Sequence, residues 1–114
     1  HQFRWRPSNN KNSELIMDNI DHVAVQTNNI KESLEWYKKM FKCKVLFEDE
    51  TWALIEFKNT KIALVVPEQH PPHIAIKRKN LEQYGNPTKH RDGSESVYID
   101  SPDRNTFELI RYPD

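Results

Sequence analysis

The sequence is poor in cysteine and glycine, and these shortages exclude several kinds of site. Cys43 is the single cysteine among 114 residues, so these residues can form neither an internal disulfide nor a cysteine-based zinc finger. Gly85 and Gly93 are the only glycines. Two separate glycines are too few for a glycine-rich loop that cradles phosphate.

The sequence also lacks an excess of charge and a long apolar run. Seventeen basic residues balance 17 acidic ones, which favours neither nucleic acid nor an anionic membrane as a partner. The apolar runs are only a few residues long, far short of a membrane span. No apolar segment near the start is typical of a secretion signal, so we expect a cytoplasmic protein.

One short pattern occurs twice and suggests an internal repeat. His22–Gln26 and His73–Lys77 both contain histidine, a β-branched residue, alanine, a β-branched residue and a polar residue. This alternation is typical of a strand, on which residues two apart share a face. The repeat predicts two copies of one unit, each of which directs an imidazole into a shared interior.

The first copy predicts a β-α-β-β-β order. Asn29 and Glu32 form a pattern typical of a helix start, and apolar residues follow at helical spacing, which predicts a helix over 30–42. We expect the helix to bury the apolar stripe formed by Ile30, Leu34, Tyr37 and Phe41. The strands are expected at 19–27, Lys44–Glu48, Trp52–Lys58 and Lys61–Val66.

The second copy repeats this order more briefly. It has a strand at His73–Lys77, at most a short helix at Asn80–Tyr84, and strands at Thr88–Arg91, Ser96–Asp100 and Thr106–Arg111. We therefore expect one domain over 17–114, with modules at 18–67 and 72–112. Residues 1–16 are interpreted as a tail or tag, and the alternative is a native arm that packs Phe3 and Trp5 on the body or on a partner chain.

Four segments resemble the vicinal oxygen chelate superfamily, which includes glyoxalase I, methylmalonyl-CoA epimerase, extradiol dioxygenases, fosfomycin-modifying enzymes and bleomycin-resistance proteins. They are Ile20–Val25, Ser33–Tyr37, Pro72–Ile76 and Ser101–Leu109, within a likeness that covers 18–112. In the last segment, Ser101 replaces the family's leading aspartate and Arg104 replaces its glycine. The resemblance implies an α+β fold in which two βαβββ modules form a cupped, curved mixed sheet.

The resemblance also implies a metal site. In this family the ligands lie on the first and last strands of each module, which match His22, His73 and Glu108, whereas the fourth matching position is Ala63. Three protein ligands leave open positions on a divalent ion for water and substrate oxygens. The set does not distinguish Fe, Mn, Zn or Ni. Glyoxalase I uses four protein ligands, so the absence of a fourth ligand disfavours glyoxalase I itself. Ala24, where a threonine is expected, disfavours the fosfomycin branch.

Further residues are expected to line the cup and bind substrate. Tyr98 matches a substrate-contacting tyrosine of the fosfomycin branch, and Ser96 shares its face of the strand. Gln26 shares a face with His22 on the first strand, and Ala63 is expected to face the metal cavity. His70 and His90 fall in turns or at a sheet edge, and we expect them to be surface residues.

These features predict a small metal-dependent enzyme that binds a small-molecule substrate through its oxygens. The ion would act as a Lewis acid in a lyase, isomerase, dioxygenase or thiol transferase. The alternatives are a metal-free binding or sequestering protein of the bleomycin-resistance type, and a structural member without catalysis. Exposed sheet edges invite pairing, so we expect a homodimer.

Overall fold

The computed structural model describes residues 17–114, which form one helix and one eight-stranded sheet. The predicted tail, residues 1–16, lies outside the described residues. The elements are β1 (Ile20–Gln26), α1 (Ile30–Met40), β2 (Lys44–Glu48), β3 (Trp52–Glu56), β4 (Lys61–Val65), β5 (His73–Lys77), β6 (Thr88–Lys89), β7 (Glu95–Asp100) and β8 (Thr106–Arg111). The sheet is curved and mixed, in the order β2-β3-β4-β1-β5-β8-β7-β6, and the predicted α+β fold is confirmed.

The two halves of the sheet meet at an antiparallel pairing of β1 with β5. Across this seam His22 lies opposite Ala75, and His73 lies opposite Ala24. Each imidazole therefore faces a methyl group on the neighbouring strand, which leaves space for the ring. The two rings sit 5.6 Å apart between centroids.

Both halves use the same register at their parallel strand pairs. Ala24 pairs with Ala63 between β1 and β4, and Ala75 pairs with Glu108 between β5 and β8. Ala24 and Ala75 occupy the same place in the two copies of the sequence repeat. Ala63 is therefore the counterpart of Glu108, as the alignment of the repeats predicted.

A β-bulge interrupts the start of β1. Ile20 pairs with Ile76 and His22 pairs with Ala75, so Asp21 is an extra residue with no counterpart on β5. In a regular strand neighbouring side chains point to opposite faces, but a bulge bends the strand and re-aims them. As a result Asp21 and His22 reach the same side of the sheet, where their side chains contact each other.

Helix α1 covers the outer face of the first half. It begins where the Asn29 side chain accepts a hydrogen bond from the Glu32 amide, as predicted. Ile30 and Leu34 are buried against Ile55 and Leu64 of the sheet. The helix ends at Met40. Residues 17–114 contain no helix that is long and apolar enough to span a membrane.

The far end of the predicted apolar stripe of α1 is only partly buried. Tyr37 packs at the margin of the core, and Phe41 remains 43% exposed. Phe41 has an extended backbone, with φ −132° and ψ 151°, so it lies beyond the helix rather than on its buried face.

The second half of the sheet has no equivalent of α1. Residues 78–87, all of them described, contain a single turn in which the Tyr84 amide donates to the Leu81 carbonyl. Leu81 alone enters the core there, against Val97 and Leu109. Asn80–Tyr84, where the sequence predicts at most a short helix, forms this turn and no helix, because so short a segment cannot offset the cost of helix nucleation.

Candidate metal centre

The concave face of the sheet contains a cavity of about 270 Å³ that both halves line. Strand alternation turns His73 and Glu108 into it, and the bulge in β1 brings Asp21 into it beside His22. β1 and β5 supply the histidines from the two sides of the seam, and β8 supplies the glutamate. The seam therefore brings residues from both copies of the repeat to one point.

The three side chains converge on one carboxylate oxygen. Glu108 Oε1 lies 3.3 Å from His22 Nε2 and 3.1 Å from His73 Nε2. The three candidate ligand atoms all lie within 4.8 Å of one another. Glu108 and His73 are buried, so these contacts are well shielded from solvent.

Each histidine is oriented through its other ring nitrogen. His73 Nδ1 lies 2.8 Å from the Pro71 carbonyl oxygen, and His22 Nδ1 lies 2.8 Å from Asp21 Oδ2. A carbonyl oxygen only accepts hydrogen bonds, so His73 Nδ1 donates to it and Nε2 is the ring nitrogen directed at the cavity. Such partners fix the ring orientation and the tautomer that metal ligation needs.

The buried carboxylate of Glu108 is stabilised in its ionised form by its histidine neighbours. Burial alone would raise the pKa of Glu108, but hydrogen bonds from His22 and His73 hold it well below its ordinary value. Burial alone would lower the pKa of His22, but its bonds to Asp21 and Glu108 outweigh burial and raise it to about 9. Glu108 is thus an ionised, buried carboxylate that requires a positive partner.

The donor set fits a divalent transition metal. Two imidazole nitrogens and one carboxylate oxygen suit such ions and leave further coordination positions open. Asp21 supports the set from beneath. Burial would raise its pKa, but hydrogen bonds to His22 and Tyr112, together with the charge of Lys61, lower it to about 2.

Comparison with known proteins agrees with this architecture. A family model described as the Glyoxalase/Bleomycin resistance protein/Dioxygenase superfamily matches residues 19–85. The chain belongs to this superfamily. No functionally curated protein matches it.

Solved structures of superfamily proteins and others share the fold at low sequence identity. A hypothetical protein from Bacillus halodurans C-125 is 20% identical, with a TM-score of 0.70 over 85% of this chain and 96% of the other. Methylmalonyl-CoA epimerase from Mycobacterium tuberculosis is 16% identical, with a TM-score of 0.68 over 84% and 89%. A superfamily member from Vibrio splendidus 12B01 is 9% identical, with a TM-score of 0.66 over 83% and 99%. These likenesses concern the fold.

Of the four residues predicted to bind substrate, two line the cavity and two do not. Tyr98 and Ala63 line the cavity, and the Tyr98 ring lies 5.4 Å from that of His73. Ser96 and Gln26 are not among the lining residues. Ser96 is buried, and its hydroxyl lies 2.6 Å from His90 Nε2, whereas the exposed Gln26 donates to the His70 carbonyl.

His70 and His90 line the cavity, and the expectation that they are surface residues is wrong. His90 Nε2 lies 3.9 Å from Glu108 Oε2. The turn at Asp92–Gly93 folds β6 back on β7 and sets His90 beside Ser96. The hairpin pattern in the sequence could therefore have predicted that His90 lies near Ser96. For His70 the signal was its place three residues before His73, within the segment that joins the two halves.

Proposed function

We propose that the protein is a metal-dependent enzyme that acts on a small, oxygen-bearing molecule. His22, His73 and Glu108 would hold one divalent ion, which supplies Lewis-acid chemistry when bound. The observation that supports this proposal is the convergence of two imidazole nitrogens on one buried carboxylate oxygen, at the wall of a cavity.

Residues around the proposed centre would orient its ligands and leave space for the substrate. Asp21 and the Pro71 carbonyl keep the two ligand imidazoles directed at the cavity. Ala63, a methyl where the other half has Glu108, leaves room beside the cluster for substrate oxygens. Tyr98 borders this space, and burial together with the charge of Glu108 raises its pKa, so it would act as a neutral hydrogen-bond donor.

The size of the cavity supports a small-molecule substrate. About 270 Å³ is near the lower end of ligand sites, which span roughly 300–1,000 Å³. A structurally similar methylmalonyl-CoA epimerase, 14% identical with a TM-score of 0.67, was solved with methylmalonyl-CoA. We propose a ligand of the same general kind, a small molecule whose oxygens reach the centre, and we leave the reaction at the class of Lewis-acid-assisted lyase, isomerase, dioxygenase or transferase chemistry.

A metal-free binding protein is the second candidate. The raised pKa of His22 favours it, because a protonated imidazole would balance Glu108 without an ion. Such a protein would use the same cavity to hold a ligand without changing it.

Metal analysis separates the two candidates. Protein purified without chelator should contain about one divalent ion per chain by inductively coupled plasma mass spectrometry. Glu108→Gln and His73→Ala should each lose most of it while remaining folded by circular dichroism, because two protein ligands hold the ion less tightly than three. Glu56→Gln, which alters an exposed strand glutamate, is the control and should keep its metal. Unchanged metal content in both ligand variants would rule out the proposed centre.

A further inference from the structure

The end of α1 places a basic run and exposed rings at one point of the surface, away from the candidate centre. The seven residues Lys38–Lys44 include four lysines and no acidic residue. All four lysines are exposed, and so is Lys58 in the turn between β3 and β4. Lys42, Lys44 and Lys58 line one shallow depression together with Phe57, so the helix end and the turn meet there.

Three large apolar side chains are exposed within this basic region. Trp36 is 52% exposed, Met40 is 55% exposed and Phe41 is 43% exposed. Trp36 and Met40 are four residues apart and share a face of α1, and the Phe41 ring lies 5.6 Å from the indole between centroids. Phe57 supports Phe41 from the sheet, with 5.9 Å between the ring centroids. The three exposed side chains form a basic aromatic patch together with Lys38, Lys39, Lys42, Lys44 and Lys58.

The fold itself does not account for the lysines of the patch. Lysines in the last turn of a helix interact favourably with its dipole, which explains Lys38 and Lys39. The other three lysines lie beyond the helix, where this effect is lost. Within residues 17–114, the only one of the five with a carboxylate in ion-pair distance is Lys38, whose exposed partner Glu35 lies 3.3 Å away.

The balanced total charge of the chain conceals a separation of charges along β2. This strand begins at Lys44, and its last residue, Glu48, starts an acidic run that continues to Glu50. The two ends of the strand are about 13 Å apart. A negatively charged surface would attract the lysine end and repel the acidic end, which would orient the molecule. Trp52, which lines the cavity, follows the acidic run, so the patch lies at the other end of these strands.

We propose that the basic aromatic patch binds the surface of a lipid bilayer that contains anionic lipid. The lysines would attract the headgroups, and Trp36, Met40 and Phe41 would enter the boundary between headgroups and acyl chains. The protein would lie on the bilayer, because the 11 residues of α1 are too few to span it. This inference does not depend on the metal centre.

Two other occupants fit the patch less well. A second copy of the chain would meet it in a two-fold interface that sets lysines against lysines. A partner that binds a helix face would need to enclose these side chains in a groove, whereas here they stand on the outside of a helix end and are surrounded by positive charge.

Vesicle sedimentation tests the proposal with the full chain. The probes are vesicles of phosphatidylcholine alone and of phosphatidylcholine with about 30% phosphatidylserine, at about 0.1 M NaCl. The protein should sediment with the mixed vesicles and far less with phosphatidylcholine alone. The double variant Lys42→Gln/Lys44→Gln should bind the mixed vesicles about 20- to 30-fold more weakly, since each lysine near the surface contributes about fivefold. Lys79→Gln/Lys89→Gln, which removes two exposed lysines from the other half, is the control and should bind as the wild type does.

A single variant tests the apolar part of the patch. Trp36→Ala should weaken binding to the mixed vesicles by about tenfold, because the indole no longer enters the bilayer. Unchanged binding of Trp36→Ala would overturn the proposal, since the protein would then adsorb through charge alone. Equal losses in the two double variants, or no sedimentation of the wild type with mixed vesicles, would overturn it as well. A change of molecular mass in Lys42→Gln/Lys44→Gln by light scattering would instead assign the patch to an interface between copies. Thermal unfolding confirms that each variant is folded.

Discussion

Asp21 lies directly beneath the candidate centre and joins it to the rest of the concave face. Its Oδ2 atom accepts the Tyr112 hydroxyl at 2.7 Å and contacts His22 Nδ1 at 2.8 Å. Lys61 Nζ lies 3.5 Å from Oδ1. The Asp21 side chain is almost fully buried, so these groups together balance its charge. Asp21 would therefore orient a ligand and would not ligate the ion itself.

Replacement of Asp21 should weaken the metal centre without removing a ligand. In Asp21→Asn the side chain loses its charge and one of its two carboxylate oxygens, so the His22 ring is held less firmly. We expect metal affinity to fall by about 10- to 100-fold, the usual effect of removing such a partner. Competition with a fluorescent chelator measures it. Asp18→Asn, an exposed aspartate paired with Arg78, is the control. Wild-type affinity in Asp21→Asn would mean that the Asp21–His22 contact has no role in the centre.

The raised pKa of His22 makes the stability of the metal-free protein depend on pH. The folded pKa of about 9 lies above the ordinary value of 6.5, so folding favours the protonated ring. This stabilisation is fully present below pH 6.5 and is lost as the pH rises through 9. The loss should be on the order of 1–3 kcal/mol. Urea unfolding of chelator-treated protein at several pH values between 6 and 10 measures it.

The control for this pH effect is His22→Gln, which carries no titrating ring at this position. It should show a much smaller decline in unfolding free energy over the same range. If the unfolding free energy of the variant declined as much as that of the wild-type protein, the pH dependence would belong to other groups.

The turn between β7 and β8 holds a residue in an unfavourable backbone conformation. Arg104 has φ 66°, in the left-handed region where a side chain is strained. Its amide donates to the Ser101 carbonyl, which closes the turn that leads into the strand carrying Glu108. The turn thus sets the start of β8 at the expense of local strain.

Arg104→Gly should therefore stabilise the protein. Relief of the strain is partly offset by the greater freedom of glycine in the unfolded chain, so we expect a gain of about 0.5–1 kcal/mol. Thermal or urea unfolding measures it. Arg104→Asn should give a smaller gain, since asparagine tolerates this conformation better than arginine. A loss of stability in both variants would show that the arginine side chain contributes more than its backbone costs.

The elements differ in how far their sequence predicts them. The alternation around His22 and His73 and the Asn29 cap predicted β1, β5 and the start of α1, because these signals are local. The two bulges, at Asp21 and at Leu46, could not be predicted from the local sequence, because a bulge depends on how the strand pairs with its partner strand. The contact between Asp21 and His22 and the stack of Phe47 on Trp52 both follow from bulges, and neither was predicted.

At the scale of the whole molecule, the sheet ends at two unequal edges. β2, at one edge, has five residues and carries the exposed Leu46 and Phe47. β6, at the other edge, has two residues. An exposed edge with apolar side chains invites pairing with another chain, whereas a two-residue strand offers few hydrogen bonds.

We therefore expect a homodimer that forms through the β2 side of the molecule. Multi-angle light scattering at micromolar concentration should give twice the chain mass. Leu46→Lys, at the exposed bulge, should shift the mass toward that of one chain, and Leu46→Met should not. A monomer mass for the wild-type protein would contradict the expectation.

The seam between β1 and β5 has a consequence for how the molecule opens. His22 lies on one side of it, and His73 and Glu108 lie on the other, so a bound ion would tie the two halves together. In the metal-free protein the half that lacks a covering helix can exchange its amide hydrogens by local opening while the helix-covered half stays closed. Metal binding should merge these two events into one cooperative opening. In the metal-bound protein, the amides of β7 and β8 would then exchange as slowly as those of β3 and β4. Protection of amides across the whole sheet would therefore depend on whether the metal centre is occupied.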